Sequence, residues 1–394
     1  MIEYFLQKPP GGALPAFITG AGIEAVRRFH RSVPGYEPTP LISLESLAKD
    51  LGVAKVLVKD ESRRFGLNAF KGLGGIYAVA AAAARRAGLD AEVSLPDLLA
   101  PRVRDRIAGM TFVTATDGNH GRGVAWAARM IGCNAAVYMP KGASRFRFDA
   151  IREFGAAVEI LDMNYDDAVR YAYEKAEENG WTPVQDTAWE GYEDIPNAIT
   201  LGYMTMADEA FSQIAEQGLP QATHVFLQAG VGSMAGGVLG YMVSRFGEGH
   251  PKAVIMEAAA AACIYESMLK GDGKPHAVKG GLDTIMAGLA CGEANAVTFG
   301  ILRDHASAFL SCDDETARMG MRLLAWPKGK DAAVVSGESG AVGAGAIELI
   351  MKEKNYEELR TGLGLGEDST VLIFSTEGDT DPESYQKIIK EEKS

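Results

Sequence analysis

The chain has 394 residues, 47% of them apolar and 23% charged, with a formal net charge of −13 at neutral pH. Such a chain suits a globular protein with a sizeable core, in one large domain or two smaller ones. Its acidic balance, without any Lys/Arg-rich run, argues against nucleic acid or an anionic membrane surface as a partner. The start, "MIEYFLQKPPGG", lacks the basic and apolar segments of a signal peptide. The longest apolar run, residues 76–84, is too short to cross a bilayer. A cytoplasmic protein is expected. Short apolar runs predict strands at 55–59, 110–115, 135–140, 157–162, 223–229, 252–258 and 370–375. Helical patterns lie between them, over 70–87, 121–132, 166–179 and 234–246. In the second of these, Val124, Ala127, Ala128 and Ile131 repeat at helical spacing. The alternation predicts an α/β fold with mainly parallel strands. Residues 88–180 read as a small strand-helix-strand-helix domain inserted into a larger one formed by 1–87 and 181–394. Cys133, Cys263, Cys291 and Cys312 are scattered without a CxxC pair. The six histidines show no HExxH spacing. No metal site or disulfide framework is expected.

Three stretches carry functional groups. In "LNAFKGLGG" (67–75), Lys71 stands alone among apolar and small residues at the start of a helix. Desolvation lowers the pKa of such an amine and suits it to imine formation, whereas a surface lysine in a first helical turn is the plainer alternative. In "TATDGNHGRG" (114–123), a dense polar turn ends a strand, the edge at which α/β folds bind ligands. In "QAGVGSMAGG" (228–237), glycines follow a strand and open a helix, which makes a cradle for an anionic phosphate. Read literally, Gly230, Gly232 and Ala235 also fit a G-x-G-x-x-A dinucleotide fingerprint, with Glu257 ending the next strand. A nicotinamide dehydrogenase and a turn built only for packing both stay open on this motif. A lysine, a phosphate cradle and a polar turn together are what pyridoxal 5′-phosphate would use.

The stretches "PGYEPTPL" (34–41), "KDES" (59–62), "FGLNAFK" (65–71), "TDGNHGRGVAW" (116–126) and "GVGSMAGG" (230–237) resemble the fold type II, or tryptophan-synthase-like, pyridoxal-phosphate enzymes. "DMNYDD" (162–167), "QDTAWEGY" (185–192), "SGESGAVG" (336–343) and "STEGDTD" (375–381) resemble the diaminopropionate ammonia-lyase subgroup. The resemblance covers residues 34–382. It implies two open, mainly parallel sheets with helices on both faces. It further implies elimination on an amino-acid substrate, 2,3-diaminopropionate in either enantiomer, and a homodimer. A threonine or serine dehydratase of the same fold is the nearest alternative, and a catalytically silent metabolite-binding protein is a third.

Carried over by position, Lys71 forms the imine with the cofactor and Asn119 bonds its phenolic oxygen. Gly230, Gly232, Ser233, Gly236 and Gly237 hold the phosphate, and Ser375, with Thr376 beside it, faces the pyridine nitrogen. Thr116, Asn119 and His120 would bind the substrate carboxylate. Asp117 departs from the small residue that the dehydratases carry there. It would be a base on the cofactor face opposite Lys71, so that each acts on one enantiomer. Asp186 would bind a cationic β-substituent, or serve only as a cap or loop contact.

Overall fold

The computed structural model describes residues 1–89, 93–116, 118–189 and 191–391. It forms two compact units. One contains Met1–Ala16, Pro38–Arg63 and Met206–Ser394; the other contains Phe17–Glu37 and Arg64–Thr205. The strands, in chain order, are β1 (Ile2–Leu6), β2 (Leu41–Ser43), β3 (Lys55–Asp60) and β4 (Thr111–Ala115). They continue with β5 (Asn134–Met139), β6 (Ala157–Ile160), β7 (Thr182–Pro183) and β8 (His224–Gln228). The last three are β9 (Lys252–Ala258), β10 (Ala308–Cys312) and β11 (Thr370–Ser375).

The first unit holds a seven-stranded sheet in the order β1-β10-β9-β8-β11-β3-β2. Its interior pairs are parallel, and β1 and β2 join the edges antiparallel. Every residue of β8, β10 and β11 is buried. Since successive side chains point to opposite faces, both faces of this sheet are covered. From β8 the chain steps outward to β9 and β10, while β11 lies on the other side of β8. The strand order therefore reverses between β8 and β11, which is where open α/β sheets bind ligands. Lys59, from the "KDES" stretch, is fully buried in this unit. Its ammonium donates to Thr39 O, Glu209 Oε2 and Gln213 Oε1 at 2.7–2.9 Å, a wholly satisfied structural charge.

The second unit holds a four-stranded, all-parallel sheet in the order β6-β5-β4-β7. Here the order reverses between β4 and β7. Helix Asn119–Ile131 follows β4, and Val124, Ala127, Ala128 and Ile131 are buried as the periodicity predicts. It crosses helix Lys71–Ala87 at two glycines. A Cβ on Gly75 would stand 3.0 Å from the Gly123 carbonyl carbon, and one on Gly123 would stand 3.1 Å from that of Lys71. Only glycines let the two backbones approach so closely.

This unit is wider than the inserted segment 88–180 drawn from the sequence. It also takes in 17–37, 64–87 and 181–205. The reason is packing: helix Lys71–Ala87 lies on helix Asn119–Ile131, and β7 joins β4. The sheets match the expected mainly parallel α/β class. β1, β2, β7 and β10 were not foreseen, because three of them are short or at an edge and β10 follows directly on a helix.

Candidate active site

In the second unit, Lys71 opens helix Lys71–Ala87 after a turn that contains two non-glycine residues in the left-handed region, Phe65 (φ 52°) and Asn68 (φ 57°). Asparagine tolerates that region; for a bulky residue it costs about 1–3 kcal/mol. The Lys71 ammonium donates to Asp186 Oδ2 at 2.6 Å, the two side chains being 17% and 4% exposed. This corrects the picture of a lone charge among apolar neighbours: the counter-ion comes from 115 residues away. Asp186 follows β7, and burial alone would raise its pKa. The Lys71 ammonium, and then His120, outweigh that and hold the carboxyl at about 2.

His120 and Thr116 lie at the carboxyl end of β4, on the other side of the reversal. His120 Nε2 lies 2.8 Å from Val184 O, so this nitrogen carries the proton and donates. Burial lowers the imidazole pKa and keeps the ring neutral. Its Nδ1 is therefore a bare acceptor, buried without a hydrogen-bond partner and 4.0 Å from Asp186 Oδ2. An acceptor suits a cation, not the carboxylate that the sequence reading assigned to His120. Thr116 Oγ1 accepts the N–H groups of Gly118 and Gly121 at 2.9 and 3.1 Å. Its oxygen shapes the turn, and only the hydroxyl proton is left for a ligand. Asn119 is the first residue of helix Asn119–Ile131 and is half-buried. Asp117, assigned as a base, lies outside the described residues.

In the first unit, the loop after β8 leads into helix Ser233–Phe246. Gly232 caps it at φ 92° and, being glycine, brings no side chain of its own to the first N–H groups. A helix start left in that state suits an anion. Ser233 is buried, and Asn295 Nδ2 donates to its Oγ at 2.8 Å. Gly236 has a packing reason of its own: a Cβ there would stand 2.6 Å from Thr298 Cβ. Gly230 likewise lies against Gly288 O and Cys291 Sγ, and Gly237 is buried in the helix. At the end of β11, Ser375 Oγ donates to Ser336 Oγ at 2.8 Å, and Thr376 Oγ1 accepts from Gln228 Nε2 at 2.8 Å. Gln228 ends β8 and also donates to Phe374 O, so one amide ties together the two strand ends at the reversal.

Several organising residues escaped the sequence reading. Asn295 caps helix Ala296–His305 through Val297 and Thr298 N–H, and its own N–H donates to Val231 O within the glycine loop. Only an Asn before an apolar run hinted at the cap. Gln185 Oε1 accepts from Thr114 Oγ1 and Ala115 N–H, and its Nε2 donates to Tyr165 Oη, fixing the strand end before Asp186. Tyr203 Oη is buried without a hydrogen-bond partner, and its ring lies 4.7 Å from that of Phe70. No local pattern marks either of these.

In the second unit, a primary amine beside a buried carboxylate is a group that can bind an aldehyde; in the first, taken by itself, a glycine-led helix start and buried neutral hydroxyls are groups that can bind a phosphate and a pyridine nitrogen. These features define an enzyme of the pyridoxal-phosphate class. The family described as pyridoxal-phosphate dependent enzymes matches residues 33–375, and the chain belongs to it. A diaminopropionate ammonia-lyase of Salmonella typhimurium is 49% identical over 380 residues, 96% of this chain and 94% of the relative. The Escherichia coli diaminopropionate ammonia-lyase in complex with D-serine superposes with a TM-score of 0.92 at 47% identity, covering 99% of this chain and 97% of that one. The same enzyme with an aminoacrylate-PLP azomethine reaction intermediate superposes with a TM-score of 0.90 at 47% identity, with the same coverage. The cofactor is pyridoxal 5′-phosphate, and the dinucleotide reading of the glycine loop falls. Glu257, set aside for a ribose, instead accepts the N–H groups of Ile264 and Tyr265 at 2.8 and 2.7 Å, at the start of helix Cys263–Lys270.

Proposed function

We propose that this enzyme eliminates ammonia from 2,3-diaminopropionate, of either hand, so that substrate and water yield pyruvate and two ammonia. The observation that carries the substrate assignment is the Lys71–Asp186 pair. A buried carboxylate, with the bare Nδ1 of His120 beside it, already accommodates a primary ammonium.

When bound, pyridoxal phosphate supplies an electron sink for charge at the substrate α-carbon. The N–H groups after Gly232 would hold its phosphate, Ser375 would face its ring nitrogen, and Asn119 its phenolic oxygen. Lys71, whose amine would hold the cofactor's aldehyde, would take a proton from one face of the substrate α-carbon whenever its nitrogen is free. Asp117 is the base for the other face. Asp186 is charged throughout the neutral range and keeps the β-nitrogen in its ammonium form, the better leaving group. His120 orients that ammonium by accepting from it. Asn119 and the turn shaped by Thr116 receive the substrate carboxylate. No helix among the described residues is long and apolar enough to cross a membrane. A cytoplasmic homodimer is the setting we infer for the enzyme.

The test is purified protein assayed with each amino acid. Pyruvate from diaminopropionate supports the reading, and faster 2-oxobutyrate from threonine replaces it with a dehydratase. Lys71→Ala should lose both the absorption band of lysine-bound cofactor and almost all turnover; a variant that keeps both removes Lys71 from the chemistry.

A further inference from the structure

The turn that leads into Lys71 is held by one face of helix Asn119–Ile131, and we propose that Arg122 and Trp126 on that face are positioning residues for the Lys71 amine. This rests on the reading of Lys71 as the lysine that carries the cofactor.

Two of the turn's residues, Phe65 and Asn68, sit at positive φ, a conformation that persists only where neighbours over-determine it. The helix supplies those neighbours. The Trp126 ring stacks on the Phe65 ring, with centroids 4.7 Å apart and planes 30° from parallel. Arg122 Nη1 donates to Leu67 O at 2.9 Å. Arg122 and Trp126 are four residues apart and so lie on one helical face. Gly123, between them, brings the helix backbone against the Lys71 carbonyl. From within the second helix, Gly72 lets the turn fold down: a Cβ there would stand 2.6 Å from Leu67 Cδ1 and 3.3 Å from Phe65 Cδ2.

The use made of Arg122 points the same way. Its Nε is buried without a hydrogen-bond partner. A guanidinium left partly unsatisfied is a poor choice for stability alone. What the contact does achieve is to fix one carbonyl, four residues before Lys71, in a turn that would otherwise relax. The same helix begins with Asn119 and His120. One rigid rod therefore sets the lysine and the polar turn in a common register.

Hydrogen exchange of the cofactor-free protein tests this directly, with Arg122→Met and Trp126→Leu compared with Arg122→Lys and Trp126→Phe. The expected result is exchange about tenfold or more faster at residues 65–70 in the first two, with β4 and β5 unchanged. In the loaded enzyme, the pH dependence of the lysine-bound cofactor's absorption should shift, and kcat should fall about tenfold with KM nearly constant. Arg122→Lys and Trp126→Phe should recover most of each effect. Unchanged exchange at 65–70, or faster exchange spread equally over β4 and β5 with a normal absorption profile, overturns the proposal. If Arg122→Met does not fold, Trp126→Leu against Trp126→Phe decides it by the same criteria. Because the exchange is read without cofactor, failure of the clamp is distinguishable from failure of Lys71 itself, which Lys71→Ala reports.

Discussion

The Lys71 ammonium and the Asp186 carboxylate meet at 2.6 Å in a largely buried ion pair. One partner opens a helix and the other follows the short strand β7, so neither local segment contains the contact. The pair sets the Lys71 amine beside the buried His120 ring, whose Nδ1 lies 4.0 Å from the same carboxylate oxygen. Its carboxylate is also the group best suited to receive the β-ammonium of a diamino acid once Lys71 is engaged elsewhere.

Asp186→Asn should therefore lower kcat/KM for 2,3-diaminopropionate by about 10²-fold or more, in the range of a lost acid–base partner. Serine, with a neutral β-hydroxyl, should lose much less. Steady-state assays of the two substrates give the comparison. Equal losses would confine Asp186 to the service of Lys71 and remove it from substrate choice.

Acid should weaken the fold in two stages. The Asp186 pKa is depressed from 3.8 to about 2, so its stabilising contribution is complete above 3.8 and is lost as pH falls towards 2. His120 is lowered from 6.5, so the unfolded chain takes the proton first and stability falls as pH drops below 6.5. His224 and His305 shift in the same direction. Urea melts across this range should show both stages, and His120→Asn should flatten the upper one without removing it. An unchanged upper slope in that variant would mean that His120 titrates normally.

The glycines of the phosphate loop should separate by mechanism. Gly236→Ala sets a methyl 2.6 Å from Thr298 Cβ, and overpacking of that kind costs about 1–3 kcal/mol. Its melting temperature should fall equally with and without cofactor. Gly232→Ala, at φ 92°, disturbs the glycine-led helix start itself and should weaken retention of the cofactor in equilibrium dialysis. If Gly236→Ala loses cofactor while its cofactor-free melting temperature is unchanged, Gly236 contacts the phosphate after all.

Asp117→Asn tests the two-base proposal. With the substrate carboxylate held in one place, the α-hydrogens of the two enantiomers point to opposite faces of the cofactor, and Lys71 reaches one face. The D-substrate should lose about 10²–10⁴-fold in rate, and the L-substrate much less. Turnover of the separate enantiomers decides it, and equal loss would assign Asp117 to a shared step.

The fold class was legible before any tertiary contact was known, because alternating apolar runs and 3.6-residue stripes follow from local side-chain geometry. The stretches proposed to hold the chemistry, Lys71, the turn at 116–120 and the loop at 230–237, are legible for the same reason: each is a contiguous motif. The tertiary structure alone decided what those groups face. Asp186 reaches Lys71 only because β7 adds beside β4. His120 became an acceptor only because Val184 O takes the proton of its Nε2. Gln228, Asn295, Arg122 and Trp126 acquired their roles from partners dozens of residues away or on another element. Such contacts leave no periodic trace, since hydrogen-bond direction, burial and strand order are set by where distant segments pack.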